Sequence, residues 1–194
     1  MSSFGSSVIA FGRALIAQMR QERERRVLLA RYPDVHFQWP INFKVDDYSA
    51  LSIAPGCSLS PFSQYIVQKH SSFSCVSGKL VMESGVCIGM GANLRAAGGW
   101  IHIGRDTQIA QHVNIIASNH LFDKTTGRLD PARWDTVKTG VTIGAGCWIG
   151  AGVTILPGVV IGDGTIIGAG SIVTRSFGAG LICYGNPARQ SPST

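Results

Sequence analysis

A histidine beside a break in a repeated sequence is the residue best placed for chemistry. His120 ends the polar run Ser118-Asn119-His120, and the sixteen-residue stretch LFDKTTGRLDPARWDT follows it directly. An imidazole titrates near neutral pH, so it can take up and release a proton under physiological conditions. A histidine in polar sequence next to an excursion of the chain is a poor candidate for core packing. We therefore predict that His120 is a general base, in preference to the alternative that it only hydrogen-bonds a turn carbonyl.

Two further histidines lie in the same part of the chain. His102 and His120 each take the last position of a six-residue unit, eighteen residues apart, and three such units make one coil of about eighteen residues. The spacing predicts that these two stack at one corner in successive coils, with His112 in the middle of a face. Three histidines hold zinc only where their nitrogens converge, so we expect no metal site and structural roles for His102 and His112.

Trp148 takes the same corner position in its own unit, but on a different edge of the coil. It should therefore share no wall with His120 in a single prism, and a cleft between packed prisms would be needed to collect both. Two small residues, Ala151 and Ala169, leave backbone amides open to an extended ligand. Arg175 and Arg189 offer cations for phosphate oxygens, with a solvated surface charge as the alternative for each.

The elements that must position these residues form a repeat with a period of six. From Val137 to Gly178 the chain reads VKTGVT, IGAGCW, IGAGVT, ILPGVV, IGDGTI, IGAGSI and VTRSFG. An aliphatic residue opens every unit, and a small or β-branched residue usually stands four places later. Such a period indicates a parallel β-helix, in which each unit supplies one short strand and one turn and its leading side chain points inward.

The repeat extends towards the N-terminus less cleanly, and the register slips by three residues at Gly98-Gly99-Trp100. We expect the regular β-helix to cover residues 81–178, with irregular first coils at 33–80 and a C-terminal tail at 179–194. The polar stretch 121–136 lacks the period and is predicted to leave the stack as a loop. Loops of this kind usually lie on a working face.

Residues 1–32 are predicted to be a helical segment, with a helix from about Arg13 to Ala30. Its partial apolar face consists of Leu15, Ile16, Met19, Val27 and Leu28. Because Glu22 and Glu24 interrupt its basic run, we interpret it as a solvated helix. The alternative is an arm that contacts a membrane surface or a polyanion.

Composition limits the remaining classes of function. The net charge of +6 suggests an anionic ligand or partner, whereas the absence of a basic stripe interleaved with aromatic residues argues against nucleic acid. No run is long enough to cross a bilayer, and the N-terminus lacks the charged region of a secretory signal. Five scattered cysteines fit reduced thiols in a cytoplasmic protein.

The motifs around His120 resemble those of a known family. ASNH before the excursion, CWIGAGVTILPGVVIGDGTIIGAGSIVTRSF after it and the closing YGNPAR resemble the hexapeptide-repeat acyltransferases. Within that superfamily the chain is most similar to bacterial O-acetyltransferases that modify sugars of surface polysaccharides, lipopolysaccharides or capsules. The resemblance runs from about Ile103 to Arg189. It implies a left-handed parallel β-helix, an exception to the usual right-handed crossover, and a homotrimer with active sites between subunits.

The resemblance also implies an activity, the transfer of an acetyl group from acetyl-CoA to a sugar hydroxyl, with His120 as the base and Trp148 near the thioester. Residues at the CoA positions of the family's motifs are Trp148, Ala151, Ala169, Thr174, Arg175, Pro187 and Arg189. Candidate contacts to the acceptor, which could be an anionic polysaccharide, are Asn119, Asp123, Arg128 and Trp134. Asn119 or a backbone carbonyl is the candidate for orienting the imidazole.

One departure leaves the acceptor open. Relatives that act on simple galactosides carry a paired-aspartate segment where this chain has Ala97-Gly98-Gly99-Trp100. The alternatives are therefore an N-acetyltransferase of an amino sugar, a zinc carbonic anhydrase on the same fold, and a scaffold that binds without catalysis. The excursion after His120 and the GNPAR ending favour an acyltransferase.

Overall fold

The computed structural model describes residues 3–68 and 78–192. The chain divides into two compact units, residues 1–33 and residues 34–194. Cys75 and the serine-rich sequence around it lie outside the described residues.

The first unit is one helix, α1 (Ser3–Arg31). It begins before the predicted start at Arg13 and includes glycines and serines, which have low helix propensity. It ends at Arg31, two residues before Pro33, since the residue before a proline avoids the helical conformation. Of the predicted apolar face Leu28 is fully buried, whereas Ile16 and Met19 are exposed. No described helix has the length and apolar composition needed to cross a membrane.

The second unit consists almost entirely of short strands. In chain order they are β1 (His36–Phe37), β2 (Asn42–Val45), β3 (Leu51–Ile53), β4 (Ser58–Leu59), β5 (Gln64–Val67), β6 (Lys79–Met82), β7 (Cys87–Ile88), β8 (Asn93–Arg95), β9 (Trp100–Ile103), β10 (Gln108–Ile109), β11 (Asn114–Ile116), β12 (His120–Asp123), β13 (Arg128–Trp134), β14 (Val141–Ile143), β15 (Trp148–Ile149), β16 (Thr154–Ile155), β17 (Val159–Ile161), β18 (Ile166–Ile167), β19 (Ile172–Val173), β20 (Ile182–Gly185) and β21 (Ala188–Gln190). A 3₁₀ turn covers Tyr48–Ala50.

All of these strands except β12 and β13 form three sheets, which are parallel apart from β21, and the chain visits them in turn. Sheet A contains β1, β4, β7, β10, β15, β18, β20 and β21; sheet B contains β2, β5, β8, β11, β16 and β19; sheet C contains β3, β6, β9, β14 and β17. Each passage through A, B and C makes one coil. Equivalent residues stack in register from coil to coil, as Ile109 does on Ile149. The predicted parallel solenoid is therefore present.

The repeat fixes which side chains form the core. The leading aliphatic residues of the units each have at most 1% of their surface exposed, namely Ile143, Ile149, Ile155, Ile161, Ile167 and Val173. The residues four places later are buried to the same extent, namely Cys147, Val153, Val159, Thr165 and Ser171. Two residues of each unit thus point inward, and stacking them coil upon coil removes a continuous apolar column from water.

Contrary to the prediction, the corners of the coil do not lie at the last residue of each six-residue unit. They lie at the third and fourth positions, where glycines such as Gly146, Gly152 and Gly164 have φ of 62–68°. The last position instead lies within a strand and faces outward. The expected corner positions of His102 and Trp148 are therefore wrong, since both belong to strands. His112, predicted mid-face, is at a corner with φ of 56°.

The element boundaries also differ from those predicted. Regular coils begin at His36 rather than at Val81, because β1 and β4 pair in the same register as later strands. The excursion at 121–136 is an antiparallel hairpin, β12–β13, rather than a loop. Beyond residue 178 the stack continues, since β20 pairs in parallel with β18.

Small polar side chains bond to the backbone inside the prism. The Thr107 hydroxyl donates to the Gly144 carbonyl at 2.7 Å and accepts from the Cys147 amide at 3.1 Å. The Cys147 thiol donates to the Gly162 carbonyl at 3.2 Å. The four described cysteines are free thiols, and burial raises the pKa of the Cys147 thiol above its ordinary value.

The last strand reverses direction. After the cis peptide bond between Asn186 and Pro187, β21 runs antiparallel to β20, with Cys183 opposite Gln190. Every other pairing within the three sheets of the described residues is parallel. The outer edge of sheet A therefore consists of a strand that runs against the rest of the stack.

Candidate active site

The hairpin leaves the prism between sheets B and C. The chain ends β11 in sheet B, forms β12 and β13, and returns to the prism at β14 in sheet C. Two backbone bonds close its base: the Asp135 amide donates to the Asn119 carbonyl at 2.9 Å, and the Gly140 amide donates to the Ala117 carbonyl at 2.7 Å. The hairpin is thus anchored at its root by the same kind of bonds that hold the coils.

His120 is the first residue of this hairpin and stacks on its last. The imidazole and the Trp134 indole have centroids 4.3 Å apart and an interplanar angle of 21°, and the two residues are cross-strand partners. The Nδ1 atom of His120 is buried, and no described residue hydrogen-bonds to it. The enclosure of Nδ1 leaves Nε2 as the nitrogen that can meet a substrate.

Gly98 lies against the Trp134 indole, the ring that stacks on His120. It has φ of 70°, and a Cβ built at this position would lie 2.9 Å from Cδ2 of Trp134. A side chain here would therefore be strained and would also displace the indole. The Thr139 hydroxyl donates to the Gly98 carbonyl at 3.1 Å, and the Ser118 hydroxyl donates to the Ala97 carbonyl. The segment that lacks the paired aspartates of the galactoside enzymes thus forms the floor below the tryptophan.

The remaining predicted acceptor contacts lie along the hairpin. Asn119 is exposed, and because Nδ1 of His120 has no partner, neither Asn119 nor a backbone carbonyl orients the ring through this nitrogen. Asp123 accepts bonds from the Thr125 and Thr126 amides, and these bonds, the Thr125 one first, hold the pKa of its carboxyl below the usual value. Asp123 therefore closes the hairpin turn, with Arg128 as its exposed cross-strand partner.

The other two histidines lie away from His120. His102 is in sheet C between Val81 and Thr142, so the prediction that it stacks below His120 is wrong. The reason is that the chain leaves the stack at His120, where the next strand of sheet C is expected, and Thr142 of β14 takes the place above His102 instead. Nε2 of His102 lies 3.0 Å from a Glu83 carboxylate oxygen. The sequence reasoning missed Glu83, which only the stacking of β6 on β9 brings beside the imidazole.

Histidine and carboxylate groups do not gather into a metal site in the part of the chain that the structure describes. His112 lies at the A–B corner, where its amide donates to the Met90 carbonyl at 2.9 Å. Its ring lies over Gly91, since a Cβ on this glycine would be 2.5 Å from Nδ1 of His112. His102, on a strand of sheet C, and His112 thus occupy different parts of the coil.

Trp148 faces outward from sheet A and begins a line of apolar side chains. It is 52% exposed, and its neighbours in register, Ile166 and Ile182, are 40% and 53% exposed. We call these three residues the apolar ladder. The sequence reasoning missed Ile166 and Ile182 as surface residues, although each stands immediately before an inward-facing position, as Trp148 does. As predicted, Trp148 shares no sheet with His120.

The predicted CoA residues lie at two corners and at the end of the chain. Ala151 and Ala169 stack at the A–B corner, where the Gly170 amide donates to the Ala151 carbonyl at 2.8 Å. Thr174 and Arg175 follow β19, at the same B–C corner as the hairpin, and the Arg175 guanidinium lies 5.4 Å from the centroid of the Phe177 ring.

Two of these residues lie in the terminal hairpin β20–β21. Pro187 is exposed in its turn, and Nη1 of Arg189 donates to the Ala188 carbonyl at 3.0 Å. One prism therefore places His120, at the B–C corner, and Trp148, on sheet A, on separate surfaces. Arg175 lies at the corner of the hairpin, whereas Arg189 belongs to sheet A, as Trp148 does.

Comparison with known families agrees with the stacked architecture. Residues 140–175 match the family model for the bacterial transferase hexapeptide (six repeats). Residues 140–175 are hexapeptide repeats. The matched residues span β14 to β19, which form the most regular coils of the prism. The predicted repeat family is thereby confirmed. No curated protein sequence matches the chain.

Solved structures of sugar acyltransferases share the fold. AntD, an N-acyltransferase from Bacillus cereus solved in complex with dTDP and 3-hydroxybutyryl-CoA, is 23% identical with a TM-score of 0.65, covering 81% of this chain and 79% of AntD. The acetyltransferase domain of PglB from Neisseria gonorrhoeae, in complex with acetyl coenzyme A, is 17% identical with a TM-score of 0.56, covering 89% and 64%. A maltose O-acetyltransferase from Clostridium difficile is 24% identical with a TM-score of 0.50, covering 81% and 65%. At these identities the likeness establishes the fold of the hexapeptide-repeat protein.

Proposed function

We propose that this hexapeptide-repeat protein is an acetyl-CoA-dependent O-acetyltransferase that acts on a hydroxyl of a sugar in a surface polysaccharide or its precursor. The observation that carries the proposal is His120, whose ring is held at the root of the hairpin with Nδ1 enclosed and Nε2 left to meet a substrate. A base held in this way suits proton removal from a poor nucleophile such as a sugar hydroxyl.

In the proposed reaction, Nε2 of His120 accepts the proton of the acceptor hydroxyl while the hydroxyl oxygen attacks the thioester carbon. The carbon–sulfur bond then breaks, and the imidazolium returns the proton to the departing thiolate sulfur. The acetyl group ends on the sugar oxygen, and CoA leaves as the free thiol. Asn119, Asp123 and Arg128 are the proposed acceptor contacts along the hairpin.

We propose a left-handed coil and a homotrimer, with CoA bound in the cleft between neighbouring prisms. Two observations support a site shared between chains. His120 and Trp148 lie on different surfaces of one prism, and the apolar ladder leaves Trp148, Ile166 and Ile182 exposed on sheet A. In the proposed cleft Trp148 lies near the thioester, and Ala151, Ala169, Thr174 and Pro187 line the path of CoA. Arg175 and Arg189 contact its phosphates.

A second candidate function keeps the acyl transfer and changes the acceptor to an amine. Its support is the similarity to AntD, an N-acyltransferase solved also with dTDP-4-amino-4,6-dideoxyglucose and CoA. A neutral amine is already a nucleophile and depends less on a base than a hydroxyl does. Parallel assays with hydroxyl sugars and nucleotide-linked amino sugars, read by mass spectrometry, distinguish the two candidates.

The replacement His120→Ala tests the proposed base. General-base catalysis typically contributes about 10²–10⁴-fold, so we expect acetyl transfer to a hydroxyl acceptor to fall by a factor in that range. Because the imidazole does not contact the proposed CoA residues within one prism, CoA binding measured by calorimetry should remain, as should the circular dichroism spectrum.

His102→Gln is the matched control, since an amide retains a donor for Glu83 and the residue lies in sheet C away from the hairpin. This variant should keep full turnover. If His120→Ala transfers acetyl groups at the normal rate, His120 is not the base. If neither acceptor class is acetylated and CoA does not bind to the unmodified protein, the acyltransferase proposal itself is wrong.

A further inference from the structure

The way in which the His120 ring is held raises the question of what sets its orientation. In many sites a catalytic histidine is oriented by a hydrogen bond that its Nδ1–H donates to a carboxylate or a carbonyl. Here Nδ1 is buried and has no hydrogen-bond partner among the described residues. The contact that the structure does provide is the parallel stack on Trp134, with centroids 4.3 Å apart.

Trp134 is well placed to serve as a rigid support. It ends β13 directly across from His120, and the backbone bond between Asp135 and Asn119 closes the hairpin one residue further on. Its indole also lies against Gly98, where a Cβ would come within 2.9–3.2 Å of three ring atoms. Because the backbone of Gly98 belongs to the prism, the indole connects the hairpin's histidine to the coil beneath it.

We propose that Trp134 is a positioning residue, which holds the imidazole of His120 in its catalytic orientation by stacking. This inference depends on the proposed role of His120 as the base. It differs from the expectation that Trp134 contacts the acceptor, because indole atoms packed against Gly98 and the imidazole are not available to a sugar. Stacking replaces the hydrogen bond that would otherwise limit rotation of the ring.

The two roles make different kinetic predictions. A positioning residue affects the rate of the chemical step and leaves substrate binding unchanged. A misplacement of about 1 Å can lower a rate by about 10²-fold. We therefore expect Trp134→Ala to lower kcat by up to about 10²-fold with the KM values for acetyl-CoA and acceptor unchanged. Trp134→Phe retains an aromatic face and should recover most of kcat.

A spectroscopic readout tests the stack independently of activity. Protons above an aromatic face resonate upfield, so the ring protons of His120 should be shifted upfield by the indole. The signal is assigned by its loss in His120→Gln. We expect the upfield shift to disappear in Trp134→Ala and to persist, reduced, in Trp134→Phe.

Phe122→Ala serves as a matched control, because it removes an exposed aromatic side chain from the same hairpin. Phe122 lies in β12, and its cross-strand partner is Leu129, so it does not pair with His120. It should change neither the His120 signal nor kcat. An unshifted His120 signal in the unmodified protein, an unchanged kcat in Trp134→Ala, or a raised acceptor KM with kcat intact would each overturn the proposal. An unmodified protein that shows the shifted signal but acetylates no acceptor would instead refute the proposed function, and the catalytic part of this inference with it.

Discussion

Buried hydroxyl and thiol groups join consecutive coils at the level of single residues. Thr107 both donates to the Gly144 carbonyl and accepts from the Cys147 amide, while the Thr165 hydroxyl repeats the donation to the Gly178 carbonyl. In each case a short polar side chain fills an inward position where the stack offers a carbonyl. Such side chains satisfy backbone groups at the corners of the coil, which have no partner along the strand ladders.

Replacing Thr107 with valine should therefore destabilise the prism although the shape is retained. The change leaves a buried carbonyl and a buried amide without their partner, at a cost of about 1–3 kcal/mol for each unsatisfied group. With two such groups, we expect the free energy of unfolding, measured with urea, to fall by about 2–6 kcal/mol. The control is Thr154→Val, at an outward-facing position in sheet B, which should unfold as the unmodified protein does. Equal stability of both variants would contradict this account.

The sequence predicts His120 better than it predicts the surroundings of His120. Its position before the break in the repeat identifies the residue, but its partner Trp134 is fourteen places away and meets it only because the excursion folds back on itself. The predicted coil positions of His102 and Trp148, at corners, and of His112, in the middle of a face, are wrong for a simpler reason. A period of six gives the spacing of equivalent residues but not the phase of the coil, and the glycine in the fourth place marks the corner.

Among the elements, the hairpin β12–β13 is the one that the prism does not need. Its strands pair only with each other, and its two ends are joined by the bond between Asp135 and Asn119. Phe122 and Leu129, which face each other across it, are both more than half exposed. The hairpin therefore carries the proposed base without contributing to the three sheets.

Excision of residues 120–134 with an Asn-Gly turn in their place tests this separation. We expect the circular dichroism spectrum and the thermal midpoint to remain close to those of the full chain, because the parallel ladders on both sides are untouched. Acetyl transfer should be lost along with His120 and Trp134. Loss of the folded state would show that the hairpin is needed for the stack. Replacing only the turn residues 124–127 is the milder control and should preserve the activity.

The sequence supports these elements unevenly. The inward aliphatic residues determine the coils, and the first coils from His36 obey the same rule although their units are too irregular to be recognised as repeats. The excursion is predicted as a loop because it is polar and lacks the period of six, whereas its cross-strand pairing is visible only in the fold. The predicted helix is too short at its start, where α1 includes glycines and serines of low helix propensity.

At the scale of the whole molecule, the apolar ladder is the feature that a single prism leaves unexplained. Trp148, Ile166 and Ile182 lie side by side in one sheet, and each keeps 40–53% of its surface exposed. Apolar patches of this kind mark contact sites more often than free surface. The ladder includes Trp148, which is also a proposed CoA contact. Contact between the ladder and a neighbouring subunit would therefore place Trp148 beside the proposed cleft.

The proposed trimer predicts a particle with three times the 20.6 kDa mass of the chain in sedimentation equilibrium. A carboxylate at Ile166 would be desolvated on assembly, so Ile166→Asp should shift the equilibrium towards the monomer and weaken CoA binding. Val160→Asp, at an exposed position in sheet C, introduces the same charge outside the ladder and should leave the mass unchanged. A monomeric unmodified protein would contradict the proposed cleft.

The reversed strand β21 limits how a second copy of this molecule can associate with the edge of sheet A. An open edge of parallel strands is a template on which another chain can add, and repetition of that step produces a fibre. Here the terminal strand runs the wrong way to continue the ladder, and it carries exposed Arg189 and Gln190. At this edge of sheet A the parallel ladder therefore ends at β20, and a second copy cannot continue it in the same direction across β21.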